Sequence, residues 1–352
     1  MITQEDRAGY AAVELLRKHN TYKLKILKMK TVYYVLLLVI VAIGCKKDDK
    51  DSGPGPGNGN YNYGSGTIYI KQGTEGITRF EMSTGVLSGL ISNWQGSGWD
   101  ISWDGLMGVK QINKSTFDTR YIIFKTSDAS TIREIAYEPN DNNGGLPSIS
   151  PDGTRLALWP TYRDGLVILD MQGRVLKNIG GYGSTHEFKS YDPICWEPGG
   201  TILFKKDGGL WRTTTDFSRA TKVRDIPFSD WRGYVSASPD GQKIVLSAGE
   251  HIWLMNADGS DFHRVTESIF SEVAPCFSPD SKYIAMKANP RAPGDGDLGG
   301  NVYHLCIIPA DGKVYNTYPG EDNRVIHPMV KGDIRDSRGL GKTIVGDFVW
   351  RK

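Results

Sequence analysis

The sequence predicts an all-β propeller built from four-stranded blades, and three observations lead there. The first is a recurring phrase: a Pro-Asp-Gly turn followed by a short apolar strand. Ser150-Pro151-Asp152-Gly153 precedes the apolar run 156–159, Ser238-Pro239-Asp240-Gly241 precedes 244–246, and Ser278-Pro279-Asp280-Ser281 precedes 283–286. Looser copies read Ser102-Trp103-Asp104-Gly105 and Glu197-Pro198-Gly199-Gly200. The second is spacing. The aligned positions 103, 151, 198, 239 and 279 lie 48, 47, 41 and 40 residues apart, a period that suits several strands per unit. The third is the chemistry of the phrase. Proline presets φ, Asp folds its carboxylate onto nearby amides, and Gly takes the positive φ, so the flanking strands pair as hairpins.

The unit around 239 shows the elements most fully. An inner strand runs through Ala237 and Ser238, a second covers 243–247, a third 251–256, and a last one 262–266, after the turn Ala257-Asp258-Gly259-Ser260. Pro147, Pro193 and Pro275 fall four or five residues before the phrase, where a connection enters the inner strand and proline is tolerated.

On these residues the sequence resembles a repeat family. The run Ile252-Trp253-Leu254-Met255-Asn256-Ala257-Asp258-Gly259-Ser260 with Arg264-Val265-Thr266 is similar to the repeat of the TolB-type, WD40-like (PD40) propellers, as is Ser-Pro-Asp-Gly before Lys-Ile-Val. The resemblance extends over residues 67–352 and is sharpest around 151, 239 and 279.

Blade number follows from the ends. Segments 67–70, 77–82 and 86–91 look like second, third and fourth strands of a unit without a first. Either 326–330 or 343–350 could supply it, closing the ring and removing exposed sheet edges. The count is six blades, or seven if the C-terminal stretch forms a partial blade.

Upstream, Lys23, Lys25, Lys28 and Lys30 approach the apolar run 32–43. That run is shorter than the roughly 20 residues a membrane span needs and matches a signal-peptide core. It ends Ala42-Ile43-Gly44-Cys45, which resembles a bacterial lipobox cut before Cys45. The resemblance implies a diacylglycerol thioether and an amide-linked acyl chain on Cys45; multiple chains give stable anchoring. An uncleaved anchor or a buried strand is the other reading of the run. Glu5, Asp6 and Glu14 fit poorly before a signal peptide, so Met29 is the more natural start. Residues 1–44 are thus expected to be an upstream extension and signal peptide, 45–66 the lipidated cysteine and a tether, and 67–352 the propeller. Lys46-Lys47-Asp48-Asp49-Lys50-Asp51 resembles the charged export tag of surface lipoproteins in Bacteroidetes-type bacteria, or is a solvated charge run. The segment 53–66, rich in Gly, Pro and Asn, reads as a flexible tether.

Removing residues 1–44 takes 7 of 42 basic and 3 of 40 acidic residues, leaving 35 and 37, a formal charge of −2. That balance gives no basic face and excludes nucleic acid as the expected partner. Cys195 and Cys276 share one repeat position two blades apart, too distant for a disulfide. With Cys306 they read as buried thiols, a Cys276–Cys306 bridge being the alternative.

No motif announces catalysis: there is no Gly-x-Ser-x-Gly elbow, Walker loop or His-Glu-x-x-His. Asp295 and Asp297 lie in a glycine-rich loop but lack the rest of a calcium motif. No metal, cofactor or catalytic residue is assigned. Asp152, Asp240 and Asp280 are read as turn residues only.

A propeller builds sites where the connections from each outermost strand to the next innermost strand surround the channel. Those connections carry Trp99, His186, Asp192, Trp231, Arg232, Tyr234, Glu272, Arg324 and His327. Aromatics beside Arg and carboxylates anchor partners or stack on sugars, although Trp99 and Tyr234 could equally pack between blades. The expected function is a lipid-anchored binding or docking module of the cell envelope, at the outer membrane and either periplasmic or surface-exposed, for an envelope protein or for a polysaccharide or peptide. The family resemblance favours a protein partner. The alternative is a metal-dependent propeller lyase on acidic oligosaccharides. For that, only His186 and His327 could converge, with no clear third histidine.

Overall fold

The structure, a computed structural model, describes residues 62–352 except 74–75, 95, 97, 116–117, 140–143, 183–187, 191, 270, 290–302, 335–339 and 341–345. The leader, Cys45 and most of the tether therefore lie outside the described residues. Every described element is a strand.

Strands β1 (Thr67–Gln72), β2 (Gly76–Glu81) and β3 (Leu87–Ser92) open the chain. Then come β4 (Trp99–Ile101), β5 (Met107–Ser115), β6 (Asp118–Lys125) and β7 (Thr131–Tyr137), which form the second blade. The third holds β8 (Pro147–Ile149), β9 (Arg155–Thr161), β10 (Gly165–Asp170) and β11 (Val175–Ile179). The fourth holds β12 (Ile194–Trp196), β13 (Ile202–Lys206), β14 (Gly209–Thr213) and β15 (Ala220–Asp225). The fifth holds β16 (Val235–Ala237), β17 (Lys243–Ala248), β18 (His251–Asn256) and β19 (His263–Arg264). A short β20 (Thr266–Glu267) follows, then the sixth blade: β21 (Glu272–Phe277), β22 (Tyr283–Ala288) and β23 (His304–Pro309). After β24 (Tyr315–Asn316), the final strand β25 (Asp347–Arg351) pairs antiparallel with β1, Thr67 opposite Arg351. It is the missing inner strand of the first blade.

The inner strands touch in a closed ring: β25 meets β4, β4 meets β8, then β12, β16 and β21, which returns to β25. There are six blades. Of the two candidates for ring closure, 326–330 and 343–350, the second supplies the strand, observed as Asp347–Arg351. Ile326 instead exchanges two backbone hydrogen bonds with Ile307, both 2.9 Å, on the outer edge of the sixth blade. Among the described residues that edge has no full fourth strand; the segment after β23 covers it. Its β24 crosses to the fifth blade and pairs parallel with β20. Farther on, Met329 N–H donates to the Tyr63 hydroxyl and Lys331 N–H to Gly85 C=O, reaching the first blade.

The apolar runs are continuous because each middle strand is buried on both faces. In β17, Ile244 and Leu246 join the core shared with the fourth blade, while Val245 joins the core shared with the sixth. The hydrophobic core is accordingly divided into six clusters, one per blade–blade interface. At about 1.5–3 kcal/mol per fully buried aliphatic or aromatic side chain, these interfaces dominate stability. Pro147 starts β8 and Pro193 directly precedes β12, as expected. Pro275 does not start its strand. It sits inside β21 where the register shifts between Val273 and Cys276, next to Ala274 at φ +53°. A bulge tolerates proline for the same reason a strand end does: no ladder N–H is required.

Candidate functional site

The Pro-Asp-Gly phrase folds the same way in every full copy. In the fifth blade, Ser238 Oγ donates to Asp240 Oδ1 (2.6 Å) and accepts from Lys243 N–H (2.8 Å). Asp240 Oδ1 also accepts Gln242 N–H (2.9 Å), and Gly241 N–H closes the turn on Ser238 C=O (2.8 Å). Ser102–Asp104, Ser150–Asp152 and Ser278–Asp280 repeat the bond at 2.5, 2.6 and 2.6 Å. The residue after Asp holds positive φ: +75° at Gly105, +72° at Gly241, and +62° at Ser281, where a serine replaces glycine. Ser281 Oγ accepts Asp240 N–H (3.1 Å) and so ties the fifth blade's turn to the sixth's. In the fourth blade Glu197 stands where the others have serine, and it takes Arg212 bidentately at 2.6 and 2.7 Å.

These turns surround one end of the channel. Turns of blades two, three, five and six, with the end of β25, border an open cavity of about 420 Å³. Pro151, Pro239 and Pro279 supply apolar wall, with Trp103 and Trp350. Asp104, Asp240 and Asp280 supply carboxylates, and Arg351 and Lys352 complete the lining. Burial acts to raise the Asp280 carboxyl, but donors from Ser278 and Lys282 outweigh it and hold the group below its ordinary value.

Below the cavity, Asp100 is 5% exposed and fully engaged. Its Oδ1 accepts Ile101 N–H (2.8 Å) and Arg351 Nη2 (3.1 Å); its Oδ2 accepts Ile149 N–H (2.8 Å) and Ser148 Oγ (3.3 Å). Arg351 Nε donates to Ile101 C=O (2.8 Å). One ion pair thus links blades one, two and three where the ring closes. Ser148, Cys195, Ser236, Cys276 and Val349 occupy the register position of Asp100 in the other inner strands and are half-buried against the channel. Cys195 and Cys276 are free thiols, as is the buried Cys306. Burial pushes the Cys195 thiol up to about 12 and raises Cys276, keeping both protonated at neutral pH.

In an antiparallel blade, strands alternate in direction, so the connections that carry the expected binding residues lie at the other end of the inner strands. Trp99 on β4 is half-buried against the core between blades one and two. His186 lies outside the described residues. Asp192 accepts Lys189 N–H (2.8 Å) in its own loop. Trp231 is 1% exposed inside the core between blades four and five, and the Lys205 ammonium lies 5.5 Å over its ring and donates to its carbonyl. Arg232 and Tyr234 beside it are exposed, Tyr234 at 46%. Glu272, 1% exposed, accepts Thr266 Oγ1 (3.0 Å) and Thr317 Oγ1 (2.6 Å) and faces His251 Nδ1 (2.9 Å). Its carboxylate binds blade five to blade six rather than facing the channel. Arg324 pairs with Asp322 (2.6 Å) with its guanidinium 4.6 Å over Tyr315. His327 follows Ile326 at the outer edge of blade six, so neither it nor Arg324 reaches the channel. Arg232 and Tyr234 are adjacent; the expected residues do not otherwise converge. Among the described residues, no group of three or more His, Cys, Asp or Glu side chains is placed to hold a metal ion.

The residues gathered at the turn-side mouth were visible only in part. Asp104, Asp240 and Asp280 belong to the repeated phrase, whose fixed place in each blade sets them on one face. Asp100, Trp350, Arg351 and Lys352 carry no sequence signal, since ring closure alone brings them together.

No described protein family matches the sequence, and no curated protein does. Among solved structures, the fold is similar to TolB from Acinetobacter baumannii, with a TM-score of 0.55 at 16% identity over 83% of this chain and 67% of that one. A putative TolB from Agrobacterium tumefaciens aligns with a TM-score of 0.45 at 18% identity, over 71% of this chain and 86% of that one.

Proposed function

The fold is that of a TolB-type β-propeller, and from it we propose that the protein is a non-catalytic docking module. It binds an envelope protein, or a polysaccharide or peptide, at a mouth of its channel. It is exported by the signal peptide within residues 1–44, lipidated at Cys45 and held at the outer membrane.

The observation that carries this reading is the 420 Å³ cavity on the channel axis, a volume within the range of about 300–1,000 Å³ typical of ligand sites. Its carboxylates each commit one oxygen to turn geometry, which suits recognition better than proton transfer. The likeness to TolB-type propellers supports a protein as partner.

Residues 62–66 fix where the described chain joins the domain. Ser65 C=O accepts Trp350 Nε1 (2.9 Å), and a Cβ on Gly66 would collide with Arg351 C=O and touch Pro279. The chain therefore enters the domain at the rim of the cavity.

Capture from native envelopes with the full chain tests the reading, with proteins and glycans both identified. Cys45→Ser is expected to shift the protein from the membrane to the soluble fraction. A stoichiometric partner should be lost with Leu106→Glu on the turn-side face (Leu106 is 70% exposed) or with Arg232→Ala/Tyr234→Ala on the other. Capture of nothing stoichiometric by the unaltered protein overturns docking, and membrane retention of Cys45→Ser overturns the anchor.

A further inference from the structure

We propose that His263 is a proton-operated latch between blades five and six, its doubly protonated ring joining β19 to the turn that leads into β24. This goes beyond the docking reading and does not rest on it.

Both ring nitrogens of His263 face carbonyl oxygens. Nδ1 lies 2.7 Å from Asp261 C=O, and Nε2 lies 3.0 Å from Gly312 C=O. A carbonyl oxygen only accepts, so each nitrogen must carry a proton for both contacts to be hydrogen bonds. Only the imidazolium has two N–H groups. The neutral ring sets a lone pair against one of the two oxygens. That oxygen is the one on Gly312. The Nδ1 proton stays with the shorter bond, inside its own turn, where Asp261 Oδ1 at 3.3 Å adds a second acceptor. Deprotonation therefore takes the proton from Nε2 and breaks the contact between the blades.

The charged neighbours lie on both sides of that contact. Asp261 is the carboxylate beside the ring. On the sixth blade's turn, Asp311 is engaged by Lys313 (3.1 Å) and by the Tyr315 hydroxyl (2.7 Å). β18 places the apolar Leu254 opposite His263, and Arg264, next along β19, stands opposite Trp253. The His263 side chain is 32% exposed, so bulk pH reaches it. Histidine is the side chain whose charge ordinarily changes between about pH 5 and 8. The joined form holds one more proton than the parted form, so it is favoured as pH falls and lost as pH rises.

The latch acts where the segment covering blade six crosses to blade five. Gly312 lies in the turn before Tyr315, whose N–H donates to Val265 C=O (3.0 Å) at the start of the β20–β24 pair. Releasing Gly312 loosens that crossing.

Site-resolved amide exchange of the full chain, at about pH 5.5 and about pH 8, tests the latch. Protection of Tyr315 N–H is read relative to Gly173 N–H, which closes the β10–β11 turn on Asp170 C=O. The ratio should fall by about two- to tenfold at the higher pH, the effect of one hydrogen bond. Nitrogen chemical shifts of the imidazole should show both ring nitrogens protonated at the lower pH and Nε2 bare at the higher. His263→Gln does not titrate and should make the ratio the same at both pH values. A constant ratio in the unaltered protein, a pH dependence that survives His263→Gln, or a ring still neutral at the lower pH overturns the proposal.

Discussion

The turn aspartates show how a single side chain can set both local geometry and surface charge. Asp216 is fully exposed, yet its carboxyl is lowered to about 2, first by the Thr214 hydroxyl and then by the Ser218 amide and hydroxyl. The hydroxyls of Ser130 and Ser260 lower Asp128 and Asp258 in the same way. Such donors favour the ionised form, so the native turns keep their charge into acid. The sign follows by linkage. A folded value below the unfolded one, about 3.9, contributes stability that is complete above that value and lost as pH falls through the folded value. Urea midpoints should therefore hold from neutral pH to about 5 and fall between about 4 and 2, the window set by Asp216. Asp216→Asn, which keeps the acceptor, should flatten part of that fall. A midpoint flat to pH 2 in the unaltered protein would remove the turns from the account of acid stability.

At the scale of elements, the segment between β23 and β25 acts as a strap across three blades. Tyr315 is fully buried in the core between blades five and six, Thr317 holds Glu272, Ile326 caps the edge of β23, and Met329 meets Tyr63. An uncovered strand edge invites pairing with another chain, and here the cover comes from the protein itself. Ile326→Pro removes the N–H that donates to Ile307 C=O and also trims a side chain that packs against the core between blades one and six. Losing that bond in a covered site should cost about 1–3 kcal/mol. It should also raise amide exchange at Ile307 without changing the exchange of β17. Unaltered exchange at Ile307 would mean that the edge is held by packing alone.

For the whole molecule, the decisive contact is between the two ends of the chain. β25 packs Trp350 into the core between blades one and six and brings Arg351 to Asp100. Deleting 347–352 should open the ring, expose the inner edge of β1 and turn a monodisperse protein into aggregate on size-exclusion chromatography. Trp350→Ala, a milder change, should cost about 3–5 kcal/mol in urea unfolding. A deletion variant that stayed monodisperse with the native melting curve would show that five blades suffice. Much of this architecture was legible beforehand. The Ser-Pro-Asp-Gly phrase predicts hairpins, because proline, aspartate and glycine each restrict the backbone locally. Its period predicts blades, and the segment 67–70 without a preceding inner strand predicts that the end of the chain must return. The choice between 326–330 and 343–350 was not legible, since both contain short apolar segments and only pairing with β1 separates them. For the same reason, sequence position placed Trp231, Glu272 and His327 near the channel, whereas packing drew the first two into blade–blade interfaces and pairing with β23 drew the third to the periphery. Sequence alone determined the fold, the repeated turns and the face on which those turns gather, because these depend on interactions among residues a few positions apart. Tertiary structure decided the closing strand, the Asp100–Arg351 pair and the cavity above it, because those join residues some 250 positions apart whose meeting depends on six blades completing a circle.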